Sequence, residues 1–261
     1  GTVSVGIPCY NHAKFLPDVV ASLLAQTHPV DEIMILDDGS TDDFKTVVQQ
    51  FTDPKIKLMA FDKNRGMGEA QNQMAFRAKG DFFLAVSADD TLDPTYVEKV
   101  LARFAADPWL EFVASQTDFM DEDGKVLPEN SHGFQSIPKA TNQSIAEWKS
   151  SMHGGNVYFG AGMYRTNTIS EVGGWEIKYE VLTDYQMYLK ILHRGSNLGI
   201  VEENLTHTRT HRDNKNMSIL SDKKAQELPW LYHAAKKPFY RKLMKVAICT
   251  PFYEVKAYAP Y

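Results

Sequence analysis

The chain has 261 residues, 43% hydrophobic and 23% charged, enough to bury a substantial core as one large domain or one domain with a small appendage. Its formal net charge of -5 excludes the strongly basic surface that a dedicated nucleic-acid binder needs. Cys9 and Cys249 are the two cysteines and lie far apart, so neither a disulfide framework nor zinc-ligand spacing is present, and a reducing cytoplasm is the expected compartment.

Val3, Val5 and Ile7 alternate as a short strand, and Phe15, Leu16, Val19, Val20, Leu23 and Leu24 then recur at helical spacing. Glu32 to Leu36 is a short apolar run of the kind that central parallel strands show. After the turn Asp37-Asp38-Gly39-Ser40-Thr41, which carries helix-capping residues, Phe44, Val47, Val48 and Phe51 fall on one helix face. Ile56 to Phe61 predicts a third strand, Gly68 to Ala78 a third helix, Asp81 to Val86 a fourth strand and Pro94 to Ala105 a fourth helix. This alternation predicts an α/β fold with a parallel sheet covered on both faces and ligands at the carboxyl ends of its strands. Leu110 to Ser115 is a further strand, after which the pattern turns loop-rich and α+β. Asp123-Gly124 predicts a hairpin-type turn, Pro128 to Gln143 is polar, and a Gly-rich stretch runs from His153-Gly154-Gly155-Asn156 through Gly160-Ala161-Gly162. Met163-Tyr164-Arg165 is strand-like, Gly173-Gly174-Trp175 follows, and a helix starts near Thr183 and ends near Gly195.

Three predicted strand ends carry chemistry: Pro8-Cys9-Tyr10-Asn11, Asp37-Asp38-Gly39-Ser40 and Ser87-Ala88-Asp89-Asp90. In a doubly wound sheet these turns can converge on one crevice. Tyr10 offers a flat face for a base, Asp38 an acceptor for a base N–H or ribose hydroxyl, and Asp89 with Asp90 a ribose contact and a ligand for a hard divalent cation. The plainer alternative for Asp89 or Asp90 is a cap on the helix begun by Asp93-Pro94.

The blocks Val3-Ser4-Val5-Gly6-Ile7-Pro8-Cys9-Tyr10-Asn11, Ser22-Leu23-Leu24-Ala25-Gln26-Thr27, Asp37-Asp38-Gly39-Ser40-Thr41-Asp42, Asn64-Arg65-Gly66 and Ser87-Ala88-Asp89-Asp90, in this order, resemble glycosyltransferase family 2, inverting enzymes of GT-A fold. The resemblance implies a nucleotide diphosphate sugar, most often a UDP-sugar, as donor. Tyr10 would stack on uracil, Asp38 would bond to it, Pro8, Asn11 and Arg65 would join the nucleotide site, Asp89 would approach the ribose, and Asp90 would ligate Mn²⁺ or Mg²⁺. Many members carry an aspartate where Ser87 stands, which reads as variation in the sugar-nucleotide contact.

Thr183-Asp184-Tyr185-Gln186 has capping-box spacing and puts Asp184 in the first turn of its helix, where the helix dipole favours the ionised carboxylate. The resemblance makes Asp184 the catalytic base, in the place of the family's Glu-Asp signature, with Thr183 replacing the glutamate. It also implies that the late Arg-x-His segment, Arg209-Thr210-His211, brings a histidine to the metal or diphosphate and an arginine to phosphate charge; a surface loop histidine is the alternative for His211. Arg65 and Arg212 are further phosphate candidates.

The division that follows is a nucleotide-sugar half at 1–115, an acceptor and base half at 116–220, and a helical tail at 221–261. The tail segment 236–248 mixes basic and apolar residues, and either packs on its own domain or lies on an anionic membrane surface. No apolar run of about 18 residues and no signal core is present, so a membrane span and an export signal are not expected. The expected function is metal-dependent, inverting sugar transfer to a glycan or lipid-linked glycan acceptor. A nicotinamide enzyme would need the Gly-x-Gly-x-x-Gly fingerprint, which the first βα turn lacks. A non-catalytic sugar- or nucleotide-binding module would need neither Asp90 nor Asp184.

Overall fold

A computed structural model of the protein describes residues 1–128, 142–154, 159–177 and 183–211. The apolar runs of the first half form β1 (Val3–Cys9), β2 (Glu32–Asp37), β3 (Ile56–Ala60) and β4 (Phe82–Ala85). β1 lies between β2 and β4, with β3 outside β2, and all these pairs are parallel. Between them run α1 (Leu16–Leu24), α2 (Phe44–Val47) and α3 (Met67–Ala75). The predicted helix through Phe51 is shorter than its apolar spacing suggests, because α2 passes into a 3₁₀ turn at Val48–Gln50.

The second half extends the same sheet. A two-residue β5 (Thr91–Leu92) precedes α4 (Tyr96–Ala106) and the long β6 (Leu110–Met120); α5 (Ile145–Gly154), β7 (Gly162–Arg165), α6 (Thr166–Glu171), α7 (Thr183–His193) and β8 (Asn197–Arg209) follow. The eight strands lie in the order β3-β2-β1-β4-β7-β6-β8-β5. β7 is antiparallel to both β4 and β6, whereas β8 runs parallel to β6 and takes β5 antiparallel on its outer edge. The Asp123-Gly124 turn is present, closed by an antiparallel bridge between Met120 and Val126. His153 and Gly154, predicted as loop, are the last residues of α5, and Gly155 to Tyr158 lie outside the described residues.

Each face of the sheet carries its own core, as expected for strands that are apolar on both sides. One core packs Val3, Val5, Ile33 and Leu84 against Leu16 and Val20 of α1 and Val97 and Phe104 of α4. The other packs Met34, Phe83 and Phe112 against Met74 of α3, Trp148 of α5 and Met187 and Ile191 of α7. α5 is anchored by Trp148, fully buried, whose indole N–H donates to the Leu198 carbonyl at 3.1 Å.

At the amino ends of the strands, away from the predicted ligand edge, Glu32 is buried and fully bonded. Its carboxylate accepts from Ser4 Oγ at 2.5 Å and the Lys79 N–H at 2.8 Å, and pairs with Lys57. Burial opposes ionisation there, but the bonds from Lys57, Ser4 and Lys79 outweigh it and hold the carboxyl below its ordinary range. A carboxyl lowered by folding adds stability above its unfolded pKa and loses it as pH falls through the folded one. Glu32→Gln is therefore expected to cost about 1–3 kcal/mol at neutral pH, read by urea unfolding, with the difference closing in acid.

Among the described residues no helix is long and apolar enough to cross a membrane. Arg212 and the basic stretch at 236–248 lie outside the described residues.

Candidate active site

Because β1, β2 and β4 are parallel neighbours, their carboxyl ends open on one edge. The Asp38 N–H donates to the Cys9 carbonyl at 2.7 Å. Its buried carboxylate then takes the backbone N–H groups of Arg65 at 2.6 Å and Gly66 at 2.9 Å, one on each oxygen. The sequence assigns Asp38 to a base or ribose; in the structure it first holds the turn that begins α3. Asn11, in the left-handed region at φ 56°, joins the other two turns: its Oδ1 accepts the Thr41 N–H at 2.8 Å and its own N–H donates to Ser40 Oγ at 2.9 Å. Pro8 and Tyr10 are half-buried on the same edge. Arg65 is exposed, with its guanidinium 4.6 Å from the centre of the Phe61 ring. Burial pushes the Cys9 thiol up to about 12, so it is no nucleophile at this edge.

The loop after β4 carries Asp89 and Asp90, 7% and 3% exposed. Neither caps α4, whose N-cap is Thr95, with the Thr95 N–H donating to Asp93 Oδ1 at 2.8 Å. Instead β5 clips the loop to β8, opposing Thr91 to His207, and this sets the last residues of β8 against the two carboxylates. The Arg209 N–H donates to Asp90 Oδ1 at 3.0 Å, and His211 Nε2 lies 3.0 Å from Asp89 Oδ2. His12, which follows β1, places Nδ1 3.9 Å from the same Asp89 oxygen. One ligand atom each from His12, Asp89 and His211 falls within 4.8 Å of the others, a cluster of metal-ligating groups. The sequence pairs His211 with Asp90 as metal ligands, whereas the geometry pairs it with Asp89. The division arises where β8 ends: the backbone N–H of Arg209, its last residue, takes Asp90, and the side chain of His211, two residues on, reaches Asp89. Burial, reinforced by the neighbouring Asp89, pushes Asp90 well above the usual carboxylate range, with Arg209 pulling it back.

Arg209, which the late Arg-x-His segment would offer to phosphate charge, is 1% exposed and engaged with the protein itself. Its Nε donates to the Asp89 carbonyl at 2.9 Å, Nη1 to the Glu122 carbonyl at 2.7 Å and Nη2 to Asp18 Oδ2 at 2.8 Å, and the guanidinium stacks 4.8 Å from the Phe15 ring centre. A spacing motif names this residue; only the tertiary fold reveals that it braces the aspartate loop.

Asp184 lies in the first turn of α7, as its spacing predicts. The N-terminus of that helix abuts α3: a Cβ on Gly68 would stand 2.9 Å from the Glu176 carbonyl oxygen and 3.5 Å from Thr183 Cγ2, so only glycine permits the approach. Gly174 is equally constrained, at φ +73° with an added Cβ 2.3 Å from Asn72 Oδ1. The Asn72 amide clamps the next residue, accepting the Trp175 N–H at 2.7 Å and donating to its carbonyl at 2.8 Å. Lys190 of α7, itself buried, closes the turn by donating to the Gly174 carbonyl and pairing with Glu176, both at 2.7 Å. The Asp184 side chain keeps contact with solvent at the surface of this wall. Burial by the surrounding protein raises its carboxyl above the ordinary range, and the Trp175 indole N–H pulls it back. That indole N–H is buried and pulls on the carboxyl without reaching the geometry of a full hydrogen bond. The dipole argument alone favours ionisation of Asp184, but desolvation is the larger effect here.

Residues 4–166, more than half of the chain, match the model of glycosyl transferase family 2. The chain belongs to this family. Among its relatives, the chondroitin synthase of Escherichia coli is 30% identical over 199 residues, which are 74% of this chain and 27% of that protein. The chain thus corresponds to a minor part of that relative. The structure of Staphylococcus aureus TarS 1-349 in complex with UDP is similar with a TM-score of 0.66 at 17% identity, over 97% of this chain and 77% of that one. The mannosyltransferase PcManGT from Pyrobaculum calidifontis, in complex with GDP-Man and Mn²⁺, is similar with a TM-score of 0.62 at 17% identity, over 94% of this chain and 68% of that one. The GT-A fold that the family 2 resemblance implies is the fold observed.

Proposed function

We propose that the protein transfers a sugar, with inversion, from a nucleotide diphosphate sugar, foremost a UDP-sugar, to a hydroxyl of a glycan or lipid-linked glycan, in polysaccharide or cell-envelope glycan synthesis. One observation carries this reading. Asp38 holds Gly66, α3 starts there, and Gly68 faces Thr183 at a distance where an added Cβ would meet it, so closely packed elements link the β1–β2 edge to the helix that carries Asp184. The UDP in TarS, the GDP-Man and Mn²⁺ in PcManGT and the polymer named for the chondroitin synthase support donor, cation and pathway class.

In this reading Tyr10 and Asp38 receive the base, Pro8 and Asn11 shape the turn around it, and Arg65 lies by the diphosphate. The buried set of Asp89 and His211 suits a divalent ion, because two adjacent carboxylates are held away from water while the nearby Arg209 guanidinium is committed to the Asp89 and Glu122 carbonyls and Asp18. Asp89 rather than Asp90 then takes the metal, and Asp90 ties the loop to β8. Bound there, Mn²⁺ or Mg²⁺ supplies Lewis-acid neutralisation of the leaving diphosphate, a role typically worth several kcal/mol. Asp184 accepts the acceptor's hydroxyl proton as that oxygen attacks the anomeric carbon opposite the diphosphate. Its raised pKa brings its proton affinity nearer to working pH, which favours a general base.

Incubation with UDP-, GDP- and dTDP-sugars, with Mn²⁺ or with chelator, tests the reading through release of free nucleoside diphosphate. Release of UDP that stops on chelation is expected. Chelator-insensitive release would remove the metal from the scheme, and no release from any donor together with no nucleotide binding would overturn the assignment.

A further inference from the structure

The sequence and the family resemblance supply Asp90 and His211 to the cation, the geometry replaces Asp90 with Asp89, and neither reading uses the third member of the cluster, His12. We infer that His12 is a protein ligand of the metal, giving a site of two imidazole nitrogens and one carboxylate that selects first-row ions from Mn²⁺ to Zn²⁺ and discriminates against Mg²⁺. This inference rests on the assignment of a metal to Asp89 and His211 made above.

Three observations carry it. His12 Nδ1 stands 3.9 Å from Asp89 Oδ2, too far for a hydrogen bond. An ion about 2.0–2.2 Å from each of two ligands holds them about 3–4 Å apart, so the separation suits a shared ion without large movement. Next, His12 stands at the start of the 3₁₀ turn Ala13–Phe15, just after β1, so the backbone delivers its ring to the same edge as the Asp89 loop. Finally, the ring is held in place: it meets the His211 ring edge-on at 4.9 Å and the Phe15 ring at 6.0 Å, while Phe15 in turn packs on His211 at 4.8 Å. Ring packing of this kind fixes both imidazoles toward one carboxylate, as a preformed ligand set requires.

The donor set decides the ion. Mg²⁺ demands oxygen ligands in near-octahedral array and gives up its waters reluctantly, so two imidazoles offer it little. Transition ions accept imidazole readily, with affinity rising from Mn²⁺ towards Cu²⁺. One histidine would leave the choice between Mn²⁺ and Mg²⁺ nearly open; the second tilts it.

The test uses the full chain and metal binding itself, with Mn²⁺ alone and Mg²⁺ alone as probes. Free Mn²⁺ is counted by electron paramagnetic resonance, and nitrogen couplings of the bound ion report how many imidazoles ligate it. The wild type is expected to prefer Mn²⁺ to Mg²⁺ and to show two nitrogens. His12→Gln and His12→Ala are expected to weaken Mn²⁺ about 10- to 100-fold, leave one nitrogen and leave the weak Mg²⁺ binding unchanged, with melting curves like the wild type. Wild-type Mn²⁺ affinity and two nitrogens in both variants would overturn the inference. Asp89→Asn separates the two levels: if it abolishes Mn²⁺ binding while the His12 variants do not, His12 alone is excluded, and if it leaves Mn²⁺ binding intact, the metal site itself is wrong.

Discussion

Asp184→Asn is expected to lower kcat by about 10²- to 10⁴-fold while UDP still binds, because on the proposed mechanism a positioned base is lost and the proposed nucleotide edge is untouched. Initial rates and calorimetric titration with UDP separate the two effects, and a variant with wild-type kcat would place the base elsewhere. The pH profile adds a sharper expectation. Transfer needs the ionised carboxylate, and burial raises the pKa of Asp184, so the acid limb should lie above that of an ordinary surface carboxylate, with the rate climbing as pH rises through it. The same shift has a consequence for stability. A carboxyl raised by folding favours the folded state when protonated and costs stability once pH exceeds its unfolded value. The asparagine variant should therefore be less active and yet somewhat more stable than the wild type at neutral pH, the pattern of a site that trades stability for chemistry.

Arg209→Met is expected to destabilise the fold by about 3–5 kcal/mol, measured by urea unfolding. The guanidinium is 1% exposed, and its removal leaves the Asp89 and Glu122 carbonyls without their donor. Little of the loss comes from Asp18, whose side chain is 58% exposed and so screened by water. Lysine should recover only part, since a single ammonium cannot span acceptors that a planar fork reaches from three nitrogens. In whatever fraction stays folded, binding of Mn²⁺ should weaken, because the Asp89 backbone has lost its brace. A cost below about 1 kcal/mol would mean that other donors replace Arg209.

The first half of the chain is legible in the sequence because its strands are covered on both faces, so Glu32 to Leu36 and Asp81 to Val86 read as unbroken apolar runs. β8 is hidden by its own irregularity: its pairing with β6 shifts register near Ser115 and Gln116, which interrupts the alternation that marks a strand. α5 did carry a signal, a capping box in which Glu147 accepts the Ser144 N–H at 2.8 Å and the Glu147 N–H meets Ser144 Oγ at 3.4 Å. At the site, the position of the Asp89-Asp90 pair and the helical place of Asp184 follow from local pattern. The division of labour between the two aspartates does not, because their partners Arg209 and His211 lie 119 and 122 residues further on. The upward shift of the Asp184 pKa is likewise invisible locally, since the groups that act on it, Trp175 and Tyr164 among them, lie outside its own helix.

The distance in sequence between Asp89 and Arg209 also orders events during synthesis. The parallel pairs of β1 to β4 can form as soon as those strands leave the ribosome, whereas the aspartate loop must wait for a brace 120 residues later. At roughly 5–20 residues per second, that interval is of the order of ten seconds. Throughout it the nascent chain holds two acidic side chains in an open loop and no assembled ion-binding pocket. The docking of β8 ends the wait, so on the metal assignment proposed above competence to bind a cation arrives only with β8, and a shorter nascent chain lacks the site.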